Sequence, residues 1–203
     1  GAGLLVAALR QFVRAAAACG CNDVTHRMLH APFRMTIQST IPRQVGMAGS
    51  SAIVLAGLRA LCARIGVGWS ASDRARLAYL AETEDLGVAA GPQDRVVQSF
   101  AGVWRMDCAG DWPDYRYRRL PSRRLPPVYV AWDPGGGDSS GIAHGALRAK
   151  AARDDAAFTK AVARWRELAT IGYEACVHGN LDTVRAAMDE NFDVRAQVQP
   201  LSE

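Results

Sequence analysis

A loop of small residues is the stretch of this chain best suited to chemistry. It follows Pro42 and leads into an apolar run that predicts a helix, and its members are Gly46, Met47, Ala48, Gly49, Ser50 and Ser51. Such a loop can direct several backbone N–H groups, together with the positive end of the helix dipole, at one anion. Small side chains let the backbone approach a phosphate closely. The two serines add hydroxyls that can cap the helix or ligate a metal ion on a nucleotide.

The same loop lacks two common signatures of this kind of site. No Gly-Lys-Ser/Thr follows a glycine at the spacing of the Walker pattern, so this is not the common nucleotide loop. The loop also lacks the Gly-x-Ser-x-Gly pattern in which many hydrolases present a nucleophilic serine. Taken alone, it is equally consistent with an ordinary turn before a helix.

Carboxylates stand together in a second segment further along the chain. Glu82 and Glu84 lie near the end of a predicted helix, and Asp94 follows after a loop rich in glycine and alanine. Carboxylate oxygens are hard ligands of the kind that Mg²⁺ prefers, and an aspartate beside a hydroxyl can accept its proton. These residues also have ordinary explanations, because Glu82 is consistent with a solvated helix face and Asp94 with a helix N-cap.

Taken together, the two segments resemble the GHMP kinases, the family of galactokinase, homoserine kinase, mevalonate kinase and phosphomevalonate kinase. The second motif of that family is a proline followed by Gly-Leu-Gly-Ser-Ser-Ala, or a close variant, at the start of a helix. A glutamate and a Gly-rich loop with an aspartate lie downstream. The likeness extends to the glucuronokinase branch at Pro42-Arg43-Gln44, Gly49-Ser50-Ser51-Ala52-Ile53, Gly91-Pro92-Gln93-Asp94-Arg95 and Asn191-Phe192-Asp193-Val194-Arg195.

The resemblance implies an ATP-dependent kinase that phosphorylates a hydroxyl of a sugar or sugar acid, with the anomeric hydroxyl as the expected acceptor. It implies that residues 46–51 bind the nucleotide phosphates. Ser51 and Glu82 would hold Mg²⁺, with Glu84 as the alternative ligand. Asp94 would act beside the sugar hydroxyl, as general base or as its orienting acceptor. The expected substrate-side residues are Gln93, Asp94 and Arg43.

Two alternatives stay open beside this interpretation. The acceptor can be a different one within the family, such as a heptose phosphate or an isoprenoid alcohol, or the chain can be a non-catalytic fragment that binds nucleotide or only a partner. Residues 138–144 resemble a substrate-side loop of the glucuronokinase branch, but Ile142 stands where that branch tends to have lysine. In the phosphate loop, Ala48-Gly49 replaces the commoner Gly-Ser step. The lysine difference weighs against glucuronate in particular.

Composition is that of an ordinary globular protein. Of the 203 residues, 49% are hydrophobic and 22% are charged, and no apolar stretch approaches the roughly 20 residues that span a bilayer. The net charge of +4 comes without a stacking-aromatic or recognition-helix pattern, so we expect neither nucleic acid nor a membrane as partner. Five scattered cysteines form no metal-type pairs, which favours reduced thiols and a cytoplasmic protein. No pattern indicates an oligomeric state.

Hydrophobic periodicity predicts a mixed order of helices and strands, and hence an α+β protein. Helices are predicted over residues 3–18, 50–65, 73–86, 94–100, 154–178 and 181–198. Strands are predicted over residues 33–38, 103–106, 115–119 and 128–132. Ser72 is predicted to cap the helix that starts at residue 73. The helix over 50–65 is apolar on most sides, which predicts a central position for it.

A cluster of prolines marks the expected boundary between two domains, at Pro121, Pro126 and Pro127. The resemblance implies that residues 1–125 form a ribosomal-S5-domain-2-like N-terminal domain that is incomplete at its start. Residues 126–203 would be the beginning of a ferredoxin-like GHMP C-terminal domain that is incomplete at its end. The first and third motifs of the family are not found, so we expect them outside these residues and expect this chain alone to lack part of the site.

Overall fold

The computed structural model describes residues 2–21, 23, 26, 30–110, 112, 114–135 and 140–199, and only the backbone of residues 140–144. The chain divides into two compact units. Unit 1 comprises Gly1–Ala101 and Trp132–Gly141, and unit 2 comprises Gly102–Ala131 and Ile142–Glu203. The domain boundary expected at residue 125 remains a prediction.

The described part of unit 1 is helical. Its helices are α1 (Ala2–Ala18), α2 (Gly49–Ile65), α3 (Ala71–Leu80) and α4 (Gln93–Phe100). The predictions of helices over 3–18, 50–65 and 94–100 are confirmed, each to within one residue at either end. These segments repeat apolar residues every three to four positions, which is the strongest local signal that a sequence carries.

Helix α3 begins at a different residue from the predicted one. Its N-cap is Ser70, whose hydroxyl accepts a hydrogen bond from the Asp73 N–H at 3.1 Å, while the Asp73 carboxylate accepts one from the Ser70 N–H at 3.1 Å. Ser72 cannot form this capping box because Ala75 stands three residues after it. At its other end α3 passes into a π-helical turn, Ala81–Asp85. The prediction of a single helix capped by Ser72 is therefore wrong at its start.

The core of unit 1 lies mainly between α1 and α2, with a contribution from α3. Its largest buried apolar side chains are at most 1% exposed, and they are Phe12, Val54, Leu55, Leu58, Leu61 and Val96. The two helices approach closely at Gly57, where a Cβ atom would come within 3.0 Å of Leu5 Cδ2. Helix α2 also contacts α3 and α4, so the prediction that it is central is confirmed.

Two predicted strands are wrong. Residues 33–38 and 128–132 pair with no strand in the part of the chain that the structure describes. The alternation that predicted the first of them is real, since Met35 and Ile37 are half-buried between exposed neighbours. A strand also needs a partner for its backbone hydrogen bonds, and the pattern of one segment does not show whether that partner exists.

The sheet of unit 2 is a two-stranded antiparallel pair. Strand β1 (Val103–Asp107) pairs with β2 (Arg116–Leu120) in a register that places Val103 opposite Leu120 and Asp107 opposite Arg116. The strands predicted over 103–106 and 115–119 are therefore confirmed; the first is one residue longer than predicted, and the second is shifted by one residue.

Unit 2 also contains a helical hairpin that was predicted and most of a helix that was not. Helices α6 (Ala156–His178) and α7 (Leu181–Val198) are confirmed. Gly179 ends α6 in a left-handed conformation, with a φ of +73°. Helix α5 (Ser140–Ala152) was missed because its glycines and alanines give little apolar periodicity. Of the expected substrate-side loop, residues 138 and 139 lie outside the described residues, and residues 140–144 form the start of α5.

The coarse fold class is confirmed as a helix-rich chain with a small two-stranded sheet. No helix within the described ranges has both the length and the apolar character needed to cross a lipid bilayer.

Candidate functional site

In the loop ahead of α2, every second residue from Gln44 to Ala48 has a left-handed backbone conformation. The backbone φ is +60° at Gln44, +75° at Gly46 and +53° at Ala48, and it is not positive at the residues between them. An alternation of right-handed and left-handed residues turns successive N–H groups toward one concave side, where an anion can bind. Gln44 and Ala48 adopt this conformation against the steric preference of residues that carry a Cβ. The backbone thus has the form that an anion-binding loop requires.

Helix α2 begins at the end of this loop with its first amides uncapped. Ala48 is the N-cap, and its methyl side chain accepts no capping hydrogen bond from the helix N–H groups. The first turn contains no acidic residue. The N–H groups of Gly49, Ser50 and Ser51 therefore have no acceptor inside the helix, and the positive end of the helix dipole lies beside them. This end of α2 is suited to an external anion.

The two serines of this first turn differ in exposure. Ser50 is exposed, whereas Ser51 is fully buried and its hydroxyl donates a hydrogen bond to the Ala48 carbonyl at 3.0 Å. Because Ser51 Oγ is the donor in that bond, its lone pairs stay available. The expectation that Ser51 ligates a metal ion stays a prediction.

Helix α4 lies against this loop. The side-chain amide of Gln98 donates a hydrogen bond to the Ala48 carbonyl at 3.0 Å. Asp94 stands four residues before Gln98, so the two share one face of α4. The carboxylate side chain of Asp94 is 51% exposed. The structure therefore brings the helix that carries Asp94 into contact with the loop of small residues.

Asp94 lies in the first turn of α4 and does not cap it. The N-cap is Pro92, and it makes no side-chain capping bond. A carboxylate in the first turn is favourable beside the positive end of the helix dipole. The alternative explanation of Asp94 as an N-cap is therefore wrong, while its chemical role remains a prediction.

Glu82 is not open to solvent but is paired with an arginine. Its carboxylate is fully buried, and Oε2 accepts a hydrogen bond from Arg95 Nε at 2.7 Å and lies 2.5 Å from Arg95 Nη2. Arg95 is itself buried and also donates to the Gly91 carbonyl at 3.0 Å. Through these bonds Arg95 links the turn at Gly91, which precedes Asp94, to the π-helical turn that contains Glu82. Sequence reasoning missed Arg95, whose only signal was a charged residue on the inner face of a short helix.

The donor atoms of the expected metal ligands fit Mg²⁺ in their chemistry. Glu82 Oε1 is buried and has no hydrogen-bond partner among the described residues, so a hard oxygen with free lone pairs remains there. Glu84, the alternative ligand, is exposed. Neither at Glu82 nor elsewhere among the described residues is a group of three or more His, Cys, Asp or Glu side chains placed to hold a metal ion. Any cation at Glu82 would have to share its carboxylate with Arg95.

The three expected substrate-side residues, Gln93, Asp94 and Arg43, are all exposed. Gln93 is the first residue of α4, and its side chain folds over Gly91, where a Cβ atom would lie 2.4 Å from Gln93 Oε1. Arg43 is exposed in the turn that begins the loop. The ion-pair partner of Asp94 among the described side chains is Arg95, not Arg43. Their roles toward a substrate stay predictions.

Comparison with known proteins agrees with the resemblance drawn from these segments. Residues 4–102 match the model of the GHMP kinases N terminal domain. No solved structure matches the chain.

The curated relatives include two plant glucuronokinases. Glucuronokinase 1 of Arabidopsis thaliana is 29% identical over 185 residues, which are 89% of this chain and 50% of that protein. Probable glucuronokinase 2 of the same plant is 31% identical over 181 residues, which are 86% of this chain and 49% of that protein. The chain thus spans about half the length of these relatives.

A bacterial relative is similar over a shorter stretch. The D-glycero-alpha-D-manno-heptose 7-phosphate kinase of Campylobacter jejuni is 33% identical over 81 residues, which are 40% of this chain and 23% of that protein. Residues 4–102 thus match the N-terminal domain of the GHMP kinases, and two glucuronokinases are similar to this chain along most of its length.

Proposed function

We propose that this chain supplies the nucleotide loop and the acceptor-orienting carboxylate of an ATP-dependent sugar kinase. The reaction is transfer of the γ-phosphoryl group of ATP to a hydroxyl of a sugar or sugar acid, with the anomeric hydroxyl as the acceptor. The observation that carries the proposal is the contact between α4 and the loop, in which Gln98 binds Ala48 and Asp94 lies one helical turn away.

The loop and α2 would bind the phosphates. Phosphoryl transfer develops negative charge on the transferred group, and its catalysis is largely positioning and electrostatic stabilisation. Residues 46–51 offer backbone N–H groups without intrahelical partners, beside the positive end of the α2 dipole. Ser50, which is exposed, adds a hydroxyl at the same place.

Asp94 would act on the acceptor. Its carboxylate is half exposed at the start of α4, where it can accept the proton of a substrate hydroxyl or orient that hydroxyl toward the phosphorus. Gln93 and Arg43 would bind the rest of the sugar. Arg43 is suited to pair with a substrate carboxylate through two N–H groups, which is the geometry that a sugar acid offers.

ATP is the phosphoryl donor of this family, and Mg²⁺ is proposed as its companion ion. Ser51 and Glu82 would hold the ion, with Glu84 as the alternative, and the ion when bound would neutralise charge on the phosphate oxygens. The orphaned Oε1 of Glu82 supports this assignment.

The finer fold and location are proposed on the same basis. Residues 1–125 would form the ribosomal-S5-domain-2-like N-terminal domain of the family, and residues 126–203 the beginning of its ferredoxin-like C-terminal domain. The protein would work in the cytoplasm on a small sugar, without nucleic acid or membrane as partner. The five cysteines are all free thiols, as a reducing compartment favours.

An acceptor screen tests the proposed function. The whole protein, with Mg²⁺ and ATP, is offered glucuronate, a heptose 7-phosphate and mevalonate separately, and ADP release is measured. We expect release that depends on the sugar acid. Release with the heptose phosphate or with mevalonate instead would assign a different acceptor within the family. Protein that binds nucleotide but consumes no ATP with any acceptor would favour a non-catalytic role.

A further inference from the structure

One side-chain hydrogen bond joins the two parts of the proposed site. Gln98 Nε2 donates to the Ala48 carbonyl at 3.0 Å. The same carbonyl also accepts from the Ser51 hydroxyl at 3.0 Å and from the Ala52 N–H at 3.2 Å. Three donors therefore converge on the peptide group that links the loop to α2.

Because that peptide group is planar, the direction of its carbonyl also sets the direction of its N–H. In a trans peptide the C=O and the following N–H lie in one plane and point in opposite directions. A bond that fixes the Ala48 carbonyl therefore also fixes the direction of the Gly49 N–H. That N–H is the first uncapped amide of α2. Gln98 thus acts on a proposed phosphate donor from the opposite side of its peptide plane.

Helix α4 is held well enough to transmit this constraint. Arg59 of α2 donates to the carbonyls of Gln98 at 2.6 Å and of Ser99 at 3.4 Å. The Ser99 hydroxyl donates to the Ala71 carbonyl at the start of α3 at 2.7 Å. The C-terminal half of α4 is therefore bonded to both α2 and α3, while its first turn carries Asp94.

We infer that Gln98 is a positioning residue that orients the Gly49 amide toward the nucleotide phosphates and sets the loop against the helix that carries Asp94. The inference rests on the proposed function. Gln98 touches neither substrate in this account and acts through the Ala48 peptide. Ala48 has a left-handed backbone, with φ +53° and ψ +36°, which is strained for a residue that carries a Cβ and needs restraint from its surroundings.

The test compares two variants of Gln98 with a matched control in the whole protein. Gln98→Met keeps the length of the side chain and removes the donor. Gln98→Glu also removes the donor and adds a negative charge beside the loop. Ser99→Ala is the control, because it also deletes one bond from α4 to a backbone carbonyl but does not touch the loop. The measurements are the dissociation constant of ADP by calorimetry and the melting temperature of each variant.

We expect Gln98→Met to weaken ADP binding roughly fivefold, which corresponds to about one net hydrogen bond, and Gln98→Glu to weaken it further. Gln98→Met and Ser99→Ala should lower the melting temperature by similar amounts, because each loses one hydrogen bond of α4. Ser99→Ala should nevertheless leave ADP binding within about twofold of wild type. Hydrogen exchange of the peptide covering residues 46–51 should quicken in Gln98→Met and not in Ser99→Ala.

Two results would overturn the inference. The first is ADP binding by Gln98→Met that equals wild type, and the second is an equal loss of binding in Ser99→Ala, which would show a general effect of α4 stability. Either result leaves the proposed function standing if the wild-type protein binds ADP. Absence of ADP binding by the wild-type protein would instead refute the proposed function, and this inference with it.

Discussion

Glu82 and Arg95 form a buried ion pair at the turn that precedes Asp94. The carboxylate is fully buried and the arginine is 4% exposed, so both charges depend on each other for stabilisation. Arg95 Nη1 also donates to Asp94 Oδ2 at 3.4 Å, yet the Asp94 side chain is half exposed. The pair therefore anchors the backbone on one side while the next carboxylate stays open to a ligand.

Replacing Glu82 should show this dependence. Glu82→Gln leaves the buried Arg95 with the half-exposed Asp94 as its only carboxylate partner among the described residues, 3.4 Å from Arg95 Nη1. We expect a loss of about 3–5 kcal/mol in the free energy of unfolding, measured by urea denaturation. Glu84→Gln, at an exposed position two residues away, should change it by less than about 0.5 kcal/mol. The double variant Glu82→Leu/Arg95→Leu should recover most of the loss, because no unpaired charge remains buried. Equal stability of the two glutamine variants would contradict the structural role of the pair.

The sequence predicted which residues form the candidate site but not how the charged ones are partnered. Residues 46–51 and 91–95 stand out because small residues and a lone aspartate form local patterns. The partner of Glu82 lies 13 residues further on, beyond a π-helical turn that no local pattern announced. A side chain with two possible partners, a metal ion or an arginine, cannot be assigned from spacing alone.

At the scale of elements, α3 shows how a single capping group decides where a helix starts. Ser70 and Asp73 exchange two backbone-to-side-chain hydrogen bonds, and α3 leads into the turn that carries Glu82. Two serines precede the apolar residues of α3, and only one of them has an acidic residue three positions later. The capping box therefore also fixes the register of the segment that positions the ion pair.

The two serines provide a matched pair of variants. Ser70→Ala removes the cap and should lower the free energy of unfolding by about 1 kcal/mol. Ser72→Ala, inside the first turn, should be neutral or stabilising by up to ~0.5 kcal/mol, since alanine is the better helix former. Melting temperatures measured side by side should therefore move in different directions or by clearly different amounts. A larger loss in Ser72→Ala would show that Ser72 is the cap.

Helices were easier to predict than strands for a physical reason. A helix satisfies its backbone hydrogen bonds within its own segment, so α1, α2, α4, α6 and α7 follow from local periodicity. A strand depends on a partner elsewhere. Residues 103–107 and 116–120 pair with each other as strands. Residues 128–132 have the sequence pattern of a strand but no partner strand among the described residues, and Tyr129 is 95% exposed.

At the scale of the whole molecule, unit 1 contains every residue of the candidate site. The GHMP match covers residues 4–102, which include the loop, Glu82 and Asp94. The chain spans about half the length of the glucuronokinases that it resembles. The family followed from two short segments because phosphate binding restricts the residues that a loop can contain. The acceptor is less determined by these segments, since the side chains that choose among sugars need not follow a local pattern.

The central claim is that the loop binds the nucleotide while Asp94 serves the acceptor, and the variant Asp94→Asn tests it most directly. In the whole protein, we expect Asp94→Asn to lower kcat by at least about 100-fold, the usual contribution of a general base, with the dissociation constant of ADP within about twofold of wild type. Both quantities are measured on the same preparation, by ADP release with the acceptor found in the screen and by calorimetry. Turnover that survives the substitution unchanged would contradict the account.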